Sequence, residues 1–264
     1  MPGKLQDRVA VITGAAGGIG EATALLFASE GARIAVVDLT QAAAEGTARR
    51  IRTAGGRAIA IGGDVTVTAD VRRIIDRAVA ELGPLSILVN NAGVDLEGRI
   101  NIVDVSEEAF DRTVAVNLKG PWLMTKHAVP AMIAAGGGAI INVASLAAYI
   151  AASSAGYCAS KAGVVALSKV AAVELAQHNI RVNTLCPGAT ETPMARHERE
   201  KLLALGHPTA SDLIDRMSVF GRMAAPEEMA RAMLFLASED SSYVTGHSLN
   251  VDGGWLAMSG VRKV

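Results

Sequence analysis

Short runs of β-branched residues alternate with helix-length patterns from one end of this chain to the other. The runs are Val9–Thr13, Ile34–Val37, Ala58–Ile61, Ile87–Val89, Ile140–Val143 and Ile180–Leu185. Between them the spacing predicts helices over Glu21–Ser29, Gln41–Thr53, Val71–Leu82, Glu107–Val116, Trp122–Ala134 and Gly156–Gln177. A further helix, Pro226–Leu236, and a short strand, Ser248–Val251, follow. This rhythm is the signature of an α/β fold: a parallel sheet, doubly wound, with helices on both faces. No linker, repeat or low-complexity tract interrupts it, so residues 1–264 are expected to form a single domain.

The composition suits that architecture. Half of the residues are hydrophobic but only 3% are aromatic, so Ala, Val, Ile and Leu must build the core. With 27 glycines, this favours buried parallel strands under closely packed helices. A net charge of −1 argues against nucleic acid or an anionic membrane as the main partner. Ala162–Ala176 is rich in small residues, yet it carries Lys169 and Glu174 and does not read as a membrane span. Strand-like sequence begins at Arg8, so no leader is expected and the default location is the cytoplasm. Cys158 and Cys186 lack metal-ligand spacing and read as two packed thiols. The five histidines are scattered, and no metal site is expected.

Thr13-Gly14-Ala15-Ala16-Gly17-Gly18-Ile19-Gly20 follows the first strand and opens the first helix. Glycines there let the backbone approach a pyrophosphate, whose charge sits against the helix N-terminus. Asp38 ends the second strand, twenty residues after Gly18. A carboxylate at that point can accept both ribose hydroxyls of NAD and would repel a 2′-phosphate. No arginine stands in the turn to attract one, so the expected cofactor is NAD. The turn and the alternation together describe a Rossmann fold.

Tyr157-Cys158-Ala159-Ser160-Lys161 places a phenol and an ammonium four residues apart on one predicted helix face. A free tyrosine titrates near pH ~10, and a neighbouring cation favours its phenolate. The pair is a candidate proton donor and acceptor for an alcohol–ketone interconversion.

These residues together resemble the classical short-chain dehydrogenase/reductase family. The likeness runs in order through Thr13–Gly20, Asn90-Asn91-Ala92-Gly93, Asn117, Ser145, Tyr157 with Lys161, Pro187-Gly188 and Asp252-Gly253-Gly254. The resemblance implies four catalytic residues: Asn117, Ser145, Tyr157 and Lys161. It places the cofactor against Gly14, Gly17, Gly18, Ile19, Gly20 and Asp38, with Asp64 and Val65 at the adenine. Asn91 would lie beside the ribose, Thr190 and Thr192 would hold the nicotinamide carboxamide, and Ala92, Gly93, Pro187 and Gly188 would also touch the cofactor. Tyr157 and Lys161 would also touch the cofactor, Lys161 at the nicotinamide ribose, and Asn117 would serve a water that relays protons to Lys161. A homotetramer is implied as well; the long helices could pair across a twofold, and Trp255, Leu256 and Met258 could dock on a neighbour. Two departures stand out. Ser145 and Tyr157 are 12 residues apart, which predicts a trimmed loop, and Ala144 stands where a second serine is common.

The expected activity is NAD-dependent hydride transfer between a secondary alcohol and a ketone. A 3-oxoacyl-thioester reductase of the same fold and a non-catalytic binding protein are the alternatives. Residues 194–223 break the strand–helix rhythm with a charged, irregular run and read either as a substrate-covering segment or as a solvated helix pair. The apolar side of that run comes from Leu202, Leu203, Ile214, Met217 and Phe220. Together with it, Val94, Leu96, Leu146, Ala147, Tyr149 and Ala152 are candidate pocket residues. They suggest a mostly apolar, cyclic or steroid-like alcohol, with polyols and hydroxy acids left open.

Overall fold

The computed structural model describes residues 3–98, 101–204 and 218–258. Seven parallel strands form one sheet in the order β3-β2-β1-β4-β5-β6-β7. They are β1 (Val9–Thr13), β2 (Arg33–Asp38), β3 (Arg57–Gly62), β4 (Leu85–Asn90), β5 (Gly138–Val143), β6 (Ile180–Pro187) and β7 (Ser248–Val251). The helices are α1 (Gly18–Ser29), α2 (Gln41–Thr53), α3 (Thr68–Leu82), α4 (Glu107–Val114), α5 (Gly120–Ala134), α6 (Ala155–Leu175), α7 (Pro193–Ala204) and α8 (Pro226–Ala237). Strand order reverses between β1 and β4, and ligands of such sheets bind beyond the strand C-termini at that reversal.

Successive strand side chains point to opposite faces. Ala10, Ile12, Ile34, Val36, Ile87 and Val89 pack with Phe27 of α1, Ile51 of α2 and Met233 of α8. Their neighbours Val9, Val11, Ala35, Val37 and Leu88 pack with Ile74 of α3 and Met124 of α5. Both faces are therefore covered, which is why these strands read as unbroken apolar runs rather than as alternating ones.

A chain of polar side chains crosses the second layer. Asn90 of β4 donates to Asn142 Oδ1 of β5 at 2.7 Å, and Asn142 donates to Ser168 Oγ of α6 at 2.8 Å. Asn90 and Asn142 are register partners, so the contact is a direct rung of the ladder.

One expectation changes here. The predicted helices Glu107–Val116 and Trp122–Ala134 are joined: α4 runs into a π-helical turn over Ala115–Lys119, which runs into α5. Pro121 explains the widening. It has no N–H to give the Asn117 carbonyl, and its ring would crowd that carbonyl in an unbroken α-helix. The expected boundaries elsewhere shift by only a few residues. Of the segment 194–223, α7 and residues 218–223 are described; Ile214, Met217 and the Leu202 side chain lie outside the described residues.

Candidate active site

At the β1/β4 reversal, the two strand ends are stitched together. Thr13 Oγ1 accepts the Asn91 and Ala92 N–H groups at 3.0 and 3.1 Å. The Asn91 side-chain amide donates to the carbonyls of Thr13 and Gly14 at 3.0 and 2.9 Å. Asn91 thus fixes the glycine turn, a structural task alongside any contact with a ribose. The approach is too close for other residues. A Cβ on Gly14, whose φ is +63°, would fall 2.8 Å from the Ala92 Cα. One on Gly20 would fall 2.2 Å from the Gly14 carbonyl oxygen.

Beside these loops lies a cavity of about 590 Å³. Of the predicted catalytic and cofactor residues, all but Gly20 and Asn117 line it. Gly20 packs beneath the turn instead. Asn117 sits in the π-helical turn, where its Oδ1 accepts the Val94 N–H at 2.8 Å. Its Nδ2 donates to the Val94 carbonyl at 2.8 Å and to Ser160 Oγ at 3.2 Å. That side chain is a brace between the loop after β4 and helix α6.

The residues fit a dinucleotide. Helix α1 begins at Gly18 with no side chain capping its first N–H groups, which leaves them for an anion. Among the described residues, a Cβ on Gly17 would have only Pro193 within 4 Å, at 3.7 Å, so the turn presents an open cradle. Asp38 accepts the Ala16 N–H at 2.9 Å and the Leu39 N–H at 2.8 Å, one on each oxygen. An ionised carboxylate has about four acceptor positions, so two remain for a pair of hydroxyls. Helix α2 is capped by Thr40, not by Asp38. Burial pulls the Asp64 carboxyl upward, but bonds from Thr66 and Arg112 outweigh it and hold the group below its ordinary value. Thr190 donates its hydroxyl to the Gly188 carbonyl at 3.1 Å, while Thr192 Oγ1 accepts the Ala195 N–H and starts α7.

At the other end stand Ser145, Tyr157 and Lys161. Ser145 follows β5 and accepts the Ala147 N–H at 3.1 Å, opening the short 3-10 turn Leu146–Ala148. Ser154 caps α6 and accepts the Tyr157 N–H at 3.3 Å, which sets the phenol in the first turn. One turn on, Lys161 is only 4% exposed; its Nζ lies 5.5 Å from the Tyr157 ring centre and donates to the Val143 carbonyl at 2.9 Å. Burial pushes the Lys161 ammonium down to about 8, with the nearby Cys186 opposing weakly. Burial raises the Cys186 thiol, and both cysteines are free, as the sequence suggested.

Four predicted pocket residues among those described do not line the cavity, Leu203 and Phe220 of the 194–223 run being exposed at the surface. Leu96 points outward and is half exposed, and the Tyr149 hydroxyl turns toward Cys186 at 3.9 Å. Asp95, Ser153 and Trp255 line it instead. Asp95 could have been found from its place, just past the C-terminal end of β4, where this sheet gathers its ligand-facing residues.

The family model described as enoyl-(acyl carrier protein) reductase matches residues 14–256. A crystal structure of a short-chain type dehydrogenase/reductase from Mycobacterium marinum superposes with a TM-score of 0.86, at 39% identity over 95% of this chain and 96% of that one. The chain belongs to the short-chain dehydrogenase/reductase family. Among its relatives in that family is cis-4-hydroxycyclohexanecarboxylate dehydrogenase of Sinomonas cyclohexanicum, 42% identical over 96% of this chain and 98% of that protein. Another is a 3-oxoacyl-[acyl-carrier-protein] reductase of Thermotoga maritima, 40% identical over 95% and 98% of the two chains. This short-chain dehydrogenase/reductase is an oxidoreductase of a family that works with a nicotinamide cofactor, NAD or NADP. Among the described residues, no helix is long and apolar enough to cross a membrane.

Proposed function

We propose that this protein is an NAD-dependent oxidoreductase interconverting a secondary alcohol and a ketone, with Tyr157 as general acid/base. The observation that carries the reading is one cavity lined by Asp38 at one end and by Ser145, Tyr157 and Lys161 at the other. Bound nicotinamide would supply hydride transfer at the carbinol carbon. Tyr157 takes the alcohol proton in oxidation and returns it in reduction. Ser145 accepts from Ala147 through its oxygen, leaving its proton to donate to the reacting oxygen as charge develops. Lys161 favours the phenolate by its charge and would hold the nicotinamide ribose. Since the Asn117 side chain is engaged by Val94 and Ser160, its main-chain carbonyl is the group left to hold a relay water. Segment 194–223 would cover the substrate; its flanking residues Met194, Ala195 and Met223 line the cavity.

The Thermotoga maritima relative favours a second reading, reduction of a 3-oxoacyl thioester. Asp38 weighs against it, because such reductases commonly use NADPH and a carboxylate repels the 2′-phosphate. Purified protein mixed with NAD and a panel of alcohols, followed by nicotinamide absorbance, tests the first reading. The reverse reaction with NADPH and a 3-oxoacyl thioester tests the second. Silence in both would mean a non-catalytic protein, although the retention of Ser145, Tyr157 and Lys161 speaks against one.

Cofactor choice gives a sharper expectation. Catalytic efficiency with NAD exceeds that with NADP by about tenfold or more, equivalent to about 1.4 kcal/mol, and Asp38→Ala narrows the gap. Preference of the wild-type enzyme for NADP would remove Asp38 from its assigned role. A homotetramer in the cytoplasm completes the proposal. Trp122 and Ile133 on α5, with Val170 and Val173 on α6, are exposed apolar residues suited to pairing across a twofold. Light scattering at micromolar concentration should give four times the 27.2 kDa chain mass; a monomer would contradict it.

A further inference from the structure

Among the described residues, the charged side chains lining the cavity divide cleanly, with one left over. Asp38, Asp64 and Arg112 stand at the adenine end, and Lys161 stands beside the phenol. Asp95 has no part in either group. It follows Val94 on the loop after β4 and faces the same cavity as Ser145 and Tyr157.

Its hydrogen bonds show what it offers. Asp95 Oδ1 accepts the Gly98 N–H at 3.2 Å and the Ser154 hydroxyl at 3.1 Å, and Oδ2 accepts the Ser153 hydroxyl. Among the described residues, three of the carboxylate's roughly four acceptor positions are filled, leaving one on Oδ2. Ser154 is occupied, because its oxygen also receives the Tyr157 N–H. Ser153 gives its only proton to Asp95, so with respect to the described residues both of its lone pairs remain. This wall therefore presents acceptors without a donor, in a cavity that it shares with the apolar residues Val94, Leu146, Ala147 and Ala152.

We propose that Asp95 and Ser153 form a subsite for a second hydroxyl, so that the substrate is a secondary alcohol carrying another hydroxyl group: a diol. The proposal rests on the alcohol–ketone reading and names its substrate class. A hydroxyl donates to the free Oδ2 position or to Ser153 Oγ. A substrate carboxylate would meet Asp95 as a like charge and be disfavoured. The loop keeps another anchor whatever happens at Ser153: Glu97 accepts the Gly156 N–H at 3.0 Å.

The test compares kcat/KM with NAD for cyclohexanol, for 1,2-, 1,3- and 1,4-cyclohexanediol, and for 4-hydroxycyclohexanecarboxylate. Wild type, Ser153→Ala and Asp95→Asn are assayed, each with its melting temperature. In the wild type at least one diol should exceed cyclohexanol by about tenfold, the worth of one good hydrogen bond. Both variants should bring that ratio down to the statistical factor for two equivalent hydroxyls while leaving cyclohexanol oxidation in place. Asp95→Asn should also raise activity on the hydroxy acid. A purely structural role lowers every substrate together, along with the melting temperature, and that result overturns the proposal. So does a wild-type enzyme that oxidises cyclohexanol and every diol alike, which leaves the alcohol–ketone reading standing. Failure to oxidise any of these alcohols, or to reduce their ketones, overturns both.

Discussion

Tyr157→Phe should lower the rate of alcohol oxidation by at least about a hundredfold, the low end for general acid–base catalysis. The substitution deletes the hydroxyl and keeps the ring, so the contact with Lys161 and the packing of the first turn of α6 survive. Cofactor affinity, measured by fluorescence titration, should change little, because the loss belongs to the transition state. Ser145→Ala should likewise reduce turnover more than binding. If Tyr157→Phe keeps near-wild-type turnover on a good substrate, the proposed chemistry is wrong whatever the fold.

Lys161 carries the second large effect, and it acts in two directions. Lys161→Met should lower turnover and weaken NAD binding by about tenfold or more, the scale of a lost charge-assisted hydrogen bond. Its stability should respond to pH in the opposite sense. In the folded protein burial pushes Lys161 down to about 8 from the ordinary 10.5. Between those values the unfolded chain holds the proton and the folded chain does not, so wild-type stability rises with pH across that window. Below about 8 both states are protonated and the folded state bears the full burden of a buried charge. The methionine variant bears none at any pH. The stability of wild type relative to variant should therefore increase by about 3 kcal/mol from pH 8 to 10.5. The absolute offset also includes the Val143 carbonyl, which loses its donor. Denaturant unfolding of both proteins across that range provides the measurement. A difference that stays flat with pH would mean that Lys161 is not desolvated as the structure has it.

Much of the architecture was legible because burial on both faces leaves a plain mark. Ile87–Val89 and Ile140–Val143 are short, but no residue in either run is polar except Asn142, and a parallel sheet needs that. The glycine turn was legible for a different reason: Gly14 and Gly20 stand where backbone and side-chain atoms come too close for a Cβ. What escaped were features whose cause lies outside the segment that shows them. Nothing in Ala115–Lys119 announces a π-helical turn, whose cause lies outside it at Pro121. Asn117 read as either a polar helix residue or a relay group, and its brace to Val94 exists only once the loop after β4 folds across it. Asp95 and Ser153 are ordinary loop residues until tertiary structure brings them together across 58 positions.

The amide chain through Asn90, Asn142 and Ser168 has a consequence for how the protein reaches this state. Parallel strands rich in Val and Ile are nearly interchangeable in pairing, since one apolar run sticks to another in several offsets. Sliding β4 by one residue against β5 would turn Asn90 to the opposite layer and leave Asn142 Oδ1 without its donor, at a penalty of roughly 1–3 kcal/mol for each group left unpaired. The polar rung thus works as a proofreading device during assembly. It penalises the misaligned sheets that stickiness alone would tolerate, so that the phenol on α6 and the glycine turn on β1 arrive on the same side of a single cleft. An apolar pair at these two positions could pack as tightly, and would leave the growing sheet free to settle out of step.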